Sequence, residues 1–80
     1  MSKRLDVGRV ILKELSRGSV GRTELEGRVT HGTGVSHAVF DGMFVWLVRD
    51  GDIEKCSGEH LAPFRITKKG EAGLVWRAMP

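Results

Sequence analysis

Phe64-Arg65-Ile66-Thr67-Lys68-Lys69-Gly70-Glu71-Ala72-Gly73-Leu74 is the stretch on which the reading of this chain turns. Phe64, Arg65 and Ile66 alternate apolar, polar, apolar, the period of a half-buried strand. Thr67 then supplies a hydroxyl able to cap a helix that continues through Lys68-Lys69-Gly70-Glu71, with Ala72, Val75, Trp76 and Met79 as its apolar side. Upstream, Ile53 to Cys56 is a second short strand, and the intervening Ser57-Gly58-Glu59-His60-Leu61-Ala62-Pro63 carries turn-forming residues at both ends. Together they predict a β-hairpin with a long loop, feeding a last helix.

Working back toward the N-terminus, Arg49-Asp50-Gly51 gives the basic last turn and glycine stop of a helix that begins near Val35. At about 100° per residue, Val39, Phe40, Met43, Phe44, Trp46 and Leu47 fall on one continuous arc of it, which predicts a central core helix. The other side carries Ala38, Asp41, Gly42, Val45 and Arg49, and Val45 with neighbouring Val48 predicts an exposed apolar surface where a partner surface begins. Thr30-His31-Gly32-Thr33-Gly34 reads as the turn before it. An earlier helix ends near Val29 with Leu25 and Val29 inward; either Ser19 or the capping-box pattern Thr23-Glu24-Leu25-Glu26 starts it. The first helix spans about Leu5 to Leu15, with Val7, Ile11 and Leu15 inward, Val10 beside them, and Arg17-Gly18-Ser19 as its stop. The fold class is thus α+β in the order α-α-α-β-β-α, one domain over residues 1–80, with no repeat or linker.

Eighty residues hold a core of marginal size, so pairing with a second copy or a partner is an expectation from length alone. The longest apolar run, Met43 to Val48, is too short to span a bilayer, and Met1-Ser2-Lys3-Arg4 leads into an amphipathic segment, which predicts a cytoplasmic location and no membrane partner. The single Cys56 cannot form an internal disulfide and reads as a small strand residue. His31, His37 and His60 lack the paired spacing of a zinc site, and no Ser-His-acid grouping is visible, so neither a metal, a cofactor nor an enzyme is expected. Gly32-Thr33-Gly34 has neither the lysine nor the preceding strand of a phosphate-binding loop. The net charge of +3 is unevenly spread: Lys and Arg dominate residues 1–31 and 55–80, while residues 32–54 carry Arg49 against Asp41, Asp50, Asp52 and Glu54.

The run from Glu24-Leu25 through the glycine turn to Leu47-Val48-Arg49-Asp50-Gly51-Asp52-Ile53, followed by Phe64-Arg65-Ile66-Thr67-Lys68-Lys69-Gly70, resembles the winged helix-turn-helix regulators of the MarR and PadR type. That resemblance implies a transcription regulator that binds double-stranded DNA, with the third helix in the major groove and the hairpin, or wing, on the backbone or minor groove. Carried over by position, it implies Val35, Ser36 and His37 at the start of the third helix and a wing tip between Gly58 and Pro63. It also implies a homodimer made by helices outside the winged motif, for which Ala72, Val75, Trp76 and Met79 are the candidates.

Strong base readout uses Arg or Lys on guanine, or Asn or Gln on adenine. Between Val29 and Val48 there is no Lys or Arg, and the chain contains no Asn or Gln, so affinity for phosphates is better provided for than base specificity. The candidate contacts are His31, Thr33, Ser36 and His37 near the third helix, Arg22 and Arg28 before it, Lys55 and Arg65 on the hairpin, and Lys68 and Lys69 beyond it. Ser36 and His37 lie off the core arc, which predicts that replacing them leaves stability unchanged. The alternative is a winged helix used as a protein-interaction module, docking on a host factor through the third or last helix; the uncharged third helix, Val45, Val48 and Trp76 favour it.

Overall fold

The computed structural model describes residues 6–78, with side chains as far as Val75. The elements are α1 (Val7–Ser16), α2 (Arg22–Thr33), α3 (His37–Asp50), β1 (Ile53–Lys55), β2 (Phe64–Ile66) and α4 (Lys68–Ala78), the expected order. α1 begins where Asp6 accepts a hydrogen bond from the Arg9 amide at 3.0 Å, and it buries Val7, Ile11, Leu12 and Leu15. β1 and β2 are antiparallel in the register Ile53 with Ile66, Glu54 with Arg65 and Lys55 with Phe64. Val20, just before α2, adds a one-residue bridge on the far side of Phe64, with reciprocal amide–carbonyl bonds of 3.1 and 2.9 Å. The Phe64 ring meets Phe44 edge-on at 4.8 Å, and Phe44 stacks on Phe40, so an aromatic row ties the sheet to α3.

Several boundaries differ from expectation, each for a local reason. α2 starts at Arg22, and neither Ser19 nor Thr23 caps it, because the Val20 bridge holds the chain extended until Gly21, whose carbonyl takes the first helical bond from Leu25. It runs on through Thr33 rather than stopping at Val29. The Thr30 and Thr33 hydroxyls donate back to the Glu26 and Val29 carbonyls at 2.7 and 2.6 Å, and Gly34, at φ 75°, provides the left-handed stop. The turn is therefore only Gly34-Val35-Ser36, and Ser36 is the N-cap of α3 rather than its first face residue, accepting from the Val39 amide.

The buried arc of α3 is narrower than its hydrophobic sequence suggests. Phe40, Phe44 and Leu47 are buried and Met43 partly so, whereas Val39 and Trp46 are each 50% exposed. These two lie at the edge of the arc, and none of the described elements reaches round to cover them. Val45 and Val48 are exposed, as expected. In α4, likewise, the inward side is Gly70, Gly73 and Leu74, while Ala72 and Val75 are exposed; the Trp76 side chain and Met79 lie outside the described residues.

The junction of α3, β1 and α4 is drawn together by backbone. Gly51, at φ 82°, lets the Asp52 amide return to the Leu47 carbonyl at 2.9 Å, which ends α3 and turns the chain into β1. Thr67 caps α4 as expected: its hydroxyl oxygen accepts from the Gly70 amide at 3.1 Å and the hydroxyl donates to the Gly51 carbonyl at 2.6 Å. Its own amide bonds the Asp52 carbonyl at 2.9 Å. Gly70 is buried there, and a Cβ on it would overlap the Asp52 carbonyl oxygen and sit 2.8 Å from Ile66 Cγ1. Gly70→Ala is expected to lower stability by more than about 2 kcal/mol, as forced overpacking against backbone does. Gly27→Ala, at an exposed α2 position with open space around it, should raise stability by about 0.5–1 kcal/mol. Paired thermal or urea unfolding curves check both signs.

Candidate nucleic-acid interface

The exposed side of α3 faces an open groove of about 690 Å³ between α3 and the hairpin, lined by Arg22, Val45, Val48, Arg49, Glu54 and Lys55 together with Phe44. Arg22 reaches it from the start of α2, where the short link from the Val20 bridge sets its position. Its guanidinium lies 5.0 Å over the Phe44 ring and pairs with Asp41 of α3. A second groove of about 520 Å³, between the start of α2 and the hairpin loop, shares Arg22 and Lys55 and adds His60 and Leu61. Arg22 and Lys55 thus line both depressions.

The loop carries Leu61, 85% exposed. Lys55 Nζ donates to the Glu59 and His60 carbonyls, both at 3.3 Å, so this lysine also shapes the loop.

The other sequence candidates divide by what already holds them. Arg28 faces away from the groove, pairing with Glu24 at 2.9 Å and lying 3.8 Å from Glu14 of α1. Arg65 pairs across the hairpin with Glu54, Nε to carboxylate 2.7 Å. Lys69 donates to the Asp50 carbonyl at 2.6 Å, bracing α4 on the end of α3. His37 Nδ1 is 2.6 Å from Glu26 of α2, and the Thr33 hydroxyl is used within the end of α2 and by the Val35 amide at 3.3 Å. His31 and Lys68 are exposed. The candidates therefore do not converge on one patch: Arg22 and Lys55 line the groove beside α3, Arg28 lies between α2 and α1, and the rest are spread over the two ends of α3 and the hairpin. Exposed ion pairs are worth only about 0–1 kcal/mol, so an incoming phosphate can exchange with them at small cost.

Arg49 is the groove residue that sequence reasoning passed over. It was legible as the basic last turn of a helix, but the same position also projects it from the exposed side of α3 into the groove. Among the described residues no group of three or more His, Cys, Asp or Glu is placed to hold a metal ion, and no helix is long and apolar enough to cross a membrane. Cys56 is half-buried, its thiol 3.4 Å from the Ser19 hydroxyl.

No family model and no curated protein matches the chain. Solved structures do. F-93 of SSV1 superposes with a TM-score of 0.76 at 16% identity, covering 94% of this chain and 84% of its own. RosR of H. salinarum gives 0.74 at 18%, covering 94% and 71%. A transcriptional regulator from Clostridium thermocellum, Cth-833, gives 0.72 at 22%, covering 89% and 75%. The likeness is one of fold, and the fold is a small α+β winged helix in which α3 precedes the hairpin wing.

Because Ser36 caps α3, the expectation that it can be removed without structural cost is replaced by a different one. Ser36→Ala should destabilise by about 1 kcal/mol, the ordinary worth of an N-cap, whereas His37→Ala, which breaks only an exposed pair with Glu26, should change stability by less than about 1 kcal/mol. Thermal unfolding of the two single variants distinguishes them.

Proposed function

We propose that this chain is a transcription regulator that binds double-stranded DNA with its winged helix, α3 entering the major groove and the hairpin lying along the backbone. The observation that carries the reading is the groove between α3 and the wing: Arg22, Arg49 and Lys55 line it beside the exposed helix, and in this fold those two elements stand side by side. Phosphates on either side of a major groove would meet these cations, with Lys68 and the exchangeable Arg65 and Lys69 extending the contact. That one of the similar structures is a transcriptional regulator supports the reading, and nothing in the comparisons favours the protein-docking alternative. No cofactor or metal enters the proposal, and the location we infer is cytoplasmic.

The regulator is proposed to act as a homodimer through α4. Leu74 and Gly70 face the core, leaving Ala72 and Val75 outward, and Val75 is 58% exposed. A two-fold contact would bury this side and set two copies of α3 against a palindromic site. Sedimentation equilibrium is expected to give a dimer that Val75→Glu converts to a folded monomer; a wild-type chain that stays monomeric at high micromolar concentration removes the dimer.

For DNA binding, anisotropy titration of a random-sequence duplex over a range of salt is expected to show affinity falling steeply, by about 0.9 in the log–log slope for each phosphate neutralised. Arg49→Ala, exposed and on the groove wall, should reduce that slope by about 1 and weaken all duplexes alike. Absent or salt-insensitive binding overturns the reading.

A further inference from the structure

We propose that the outward face of α3 reads DNA through the C5-methyl groups of thymine, by van der Waals contact instead of hydrogen bonding. The proposal rests on the DNA-binding reading above and names what that helix recognises.

The face is apolar where a recognition surface is ordinarily polar. Ala38, Val39, Gly42, Val45 and Trp46 are all exposed on α3, and Val39, Val45, Trp46 and Val48 are four of the six large apolar residues exposed in the described fold. The polar groups around it are committed elsewhere. The Ser36 hydroxyl caps the helix, His37 is held by Glu26, the Thr33 hydroxyl bonds within its own turn, and the Asp41 carboxylate is paired with Arg22. Apart from Arg49 near its C-terminal end, what the face offers a base edge is hydrocarbon. The major groove offers one group suited to that, the methyl on C5 of thymine, which small and apolar side chains contact directly.

Charge selects DNA as the occupant over a hydrophobic protein surface. Arg22 and Lys55 stand on the wing side of the face, and Arg49 rises from the face near its C-terminal end; the one carboxylate in the groove lining, Glu54, is paired with Arg65, so the margin around the apolar centre is cationic on balance. A duplex presents the complement, phosphates on both walls and methyl groups on the floor. Gly42 fits the same picture: a Cβ there would meet nothing of the protein within 4 Å, so the interior gives no reason for a residue that weakens the helix. Its missing side chain leaves a notch in the exposed face that brings a base edge closer to the helix.

The test compares two duplexes of alternating A·T pairs, one with thymidine and one with deoxyuridine, which differ in the major groove by the C5-methyl alone. Wild-type protein should bind the thymidine duplex more tightly, by about fourfold for each methyl in contact. Val45→Ser, at an exposed position, should bring the ratio toward one. Arg49→Ala should weaken both duplexes and preserve the ratio. Equal wild-type affinity for the two duplexes overturns the methyl reading and leaves DNA binding standing. A thymine preference unchanged in both Val45→Ser and Trp46→Ser moves the contact off α3 and overturns it too. Failure to bind either duplex at low salt overturns this inference and the DNA-binding reading together, and turns attention to a protein occupant of the same face.

Discussion

The approach of Gly70 to the Asp52 carbonyl is the constraint on which the arrangement of the other parts depends. At that point the end of α3, the first residue before β1 and the first turn of α4 share one small volume, with no side chain between two backbones. Thr67 bonds both Gly51 and Asp52, so the turn that ends α3 also starts α4. In a chain with so small a core, backbone bonds of this kind do what a larger protein would assign to buried side chains. The hairpin strands are three residues each and would not hold by themselves; they are positioned because both ends of the sheet are fastened, one at this junction and one at the Val20 bridge.

Fastening the hairpin this way leaves α3 with one covered side. Phe40, Phe44 and Leu47 are packed against α1, α2 and the sheet, with Met43 beside them, while Val39, Val45, Trp46 and Val48 are exposed. The ion pairs around it, Arg22 with Asp41 and His37 with Glu26, run from α2 to α3 and brace the two helices without covering the outer face. The helix is thus held firmly from behind and open in front.

Element order, the hairpin and the Thr67 cap were legible in the sequence because each has a local signal: period-2 alternation, glycine after a basic turn, threonine before a charged first turn. The end of α2 was not, because Gly32 suggests a break and only the hydroxyl bonds of Thr30 and Thr33 show how the helix runs past it. Trp46 and Val39 were misplaced for a different reason. Hydrophobicity says which residues prefer burial but not how many neighbours a small fold can supply, and here the neighbours run out at Met43. Of the candidate site, the basic residues could be named but not sorted. Whether Arg28 meets Glu24 or a groove, and whether Arg49 ends a helix or lines one, depends on distances that spacing along the chain does not encode.

Phe64 is hydrogen-bonded on one edge to Val20 and paired on the other with Lys55, so the root of the hairpin is clamped on both sides, and with Ala62 buried and Pro63 bonded to Cys56 the exposed part of the loop is Ser57 to Leu61. The two regions can therefore follow separate evolutionary courses. Residues could be added to or lost from the exposed Ser57 to Leu61 tip without altering the tilt of α3 or the packing behind it, since the clamp lies between them. A lineage built on this scaffold would be free to adjust its reach by loop length while its helix kept one stance, a division between an invariant anchor and a tunable extension.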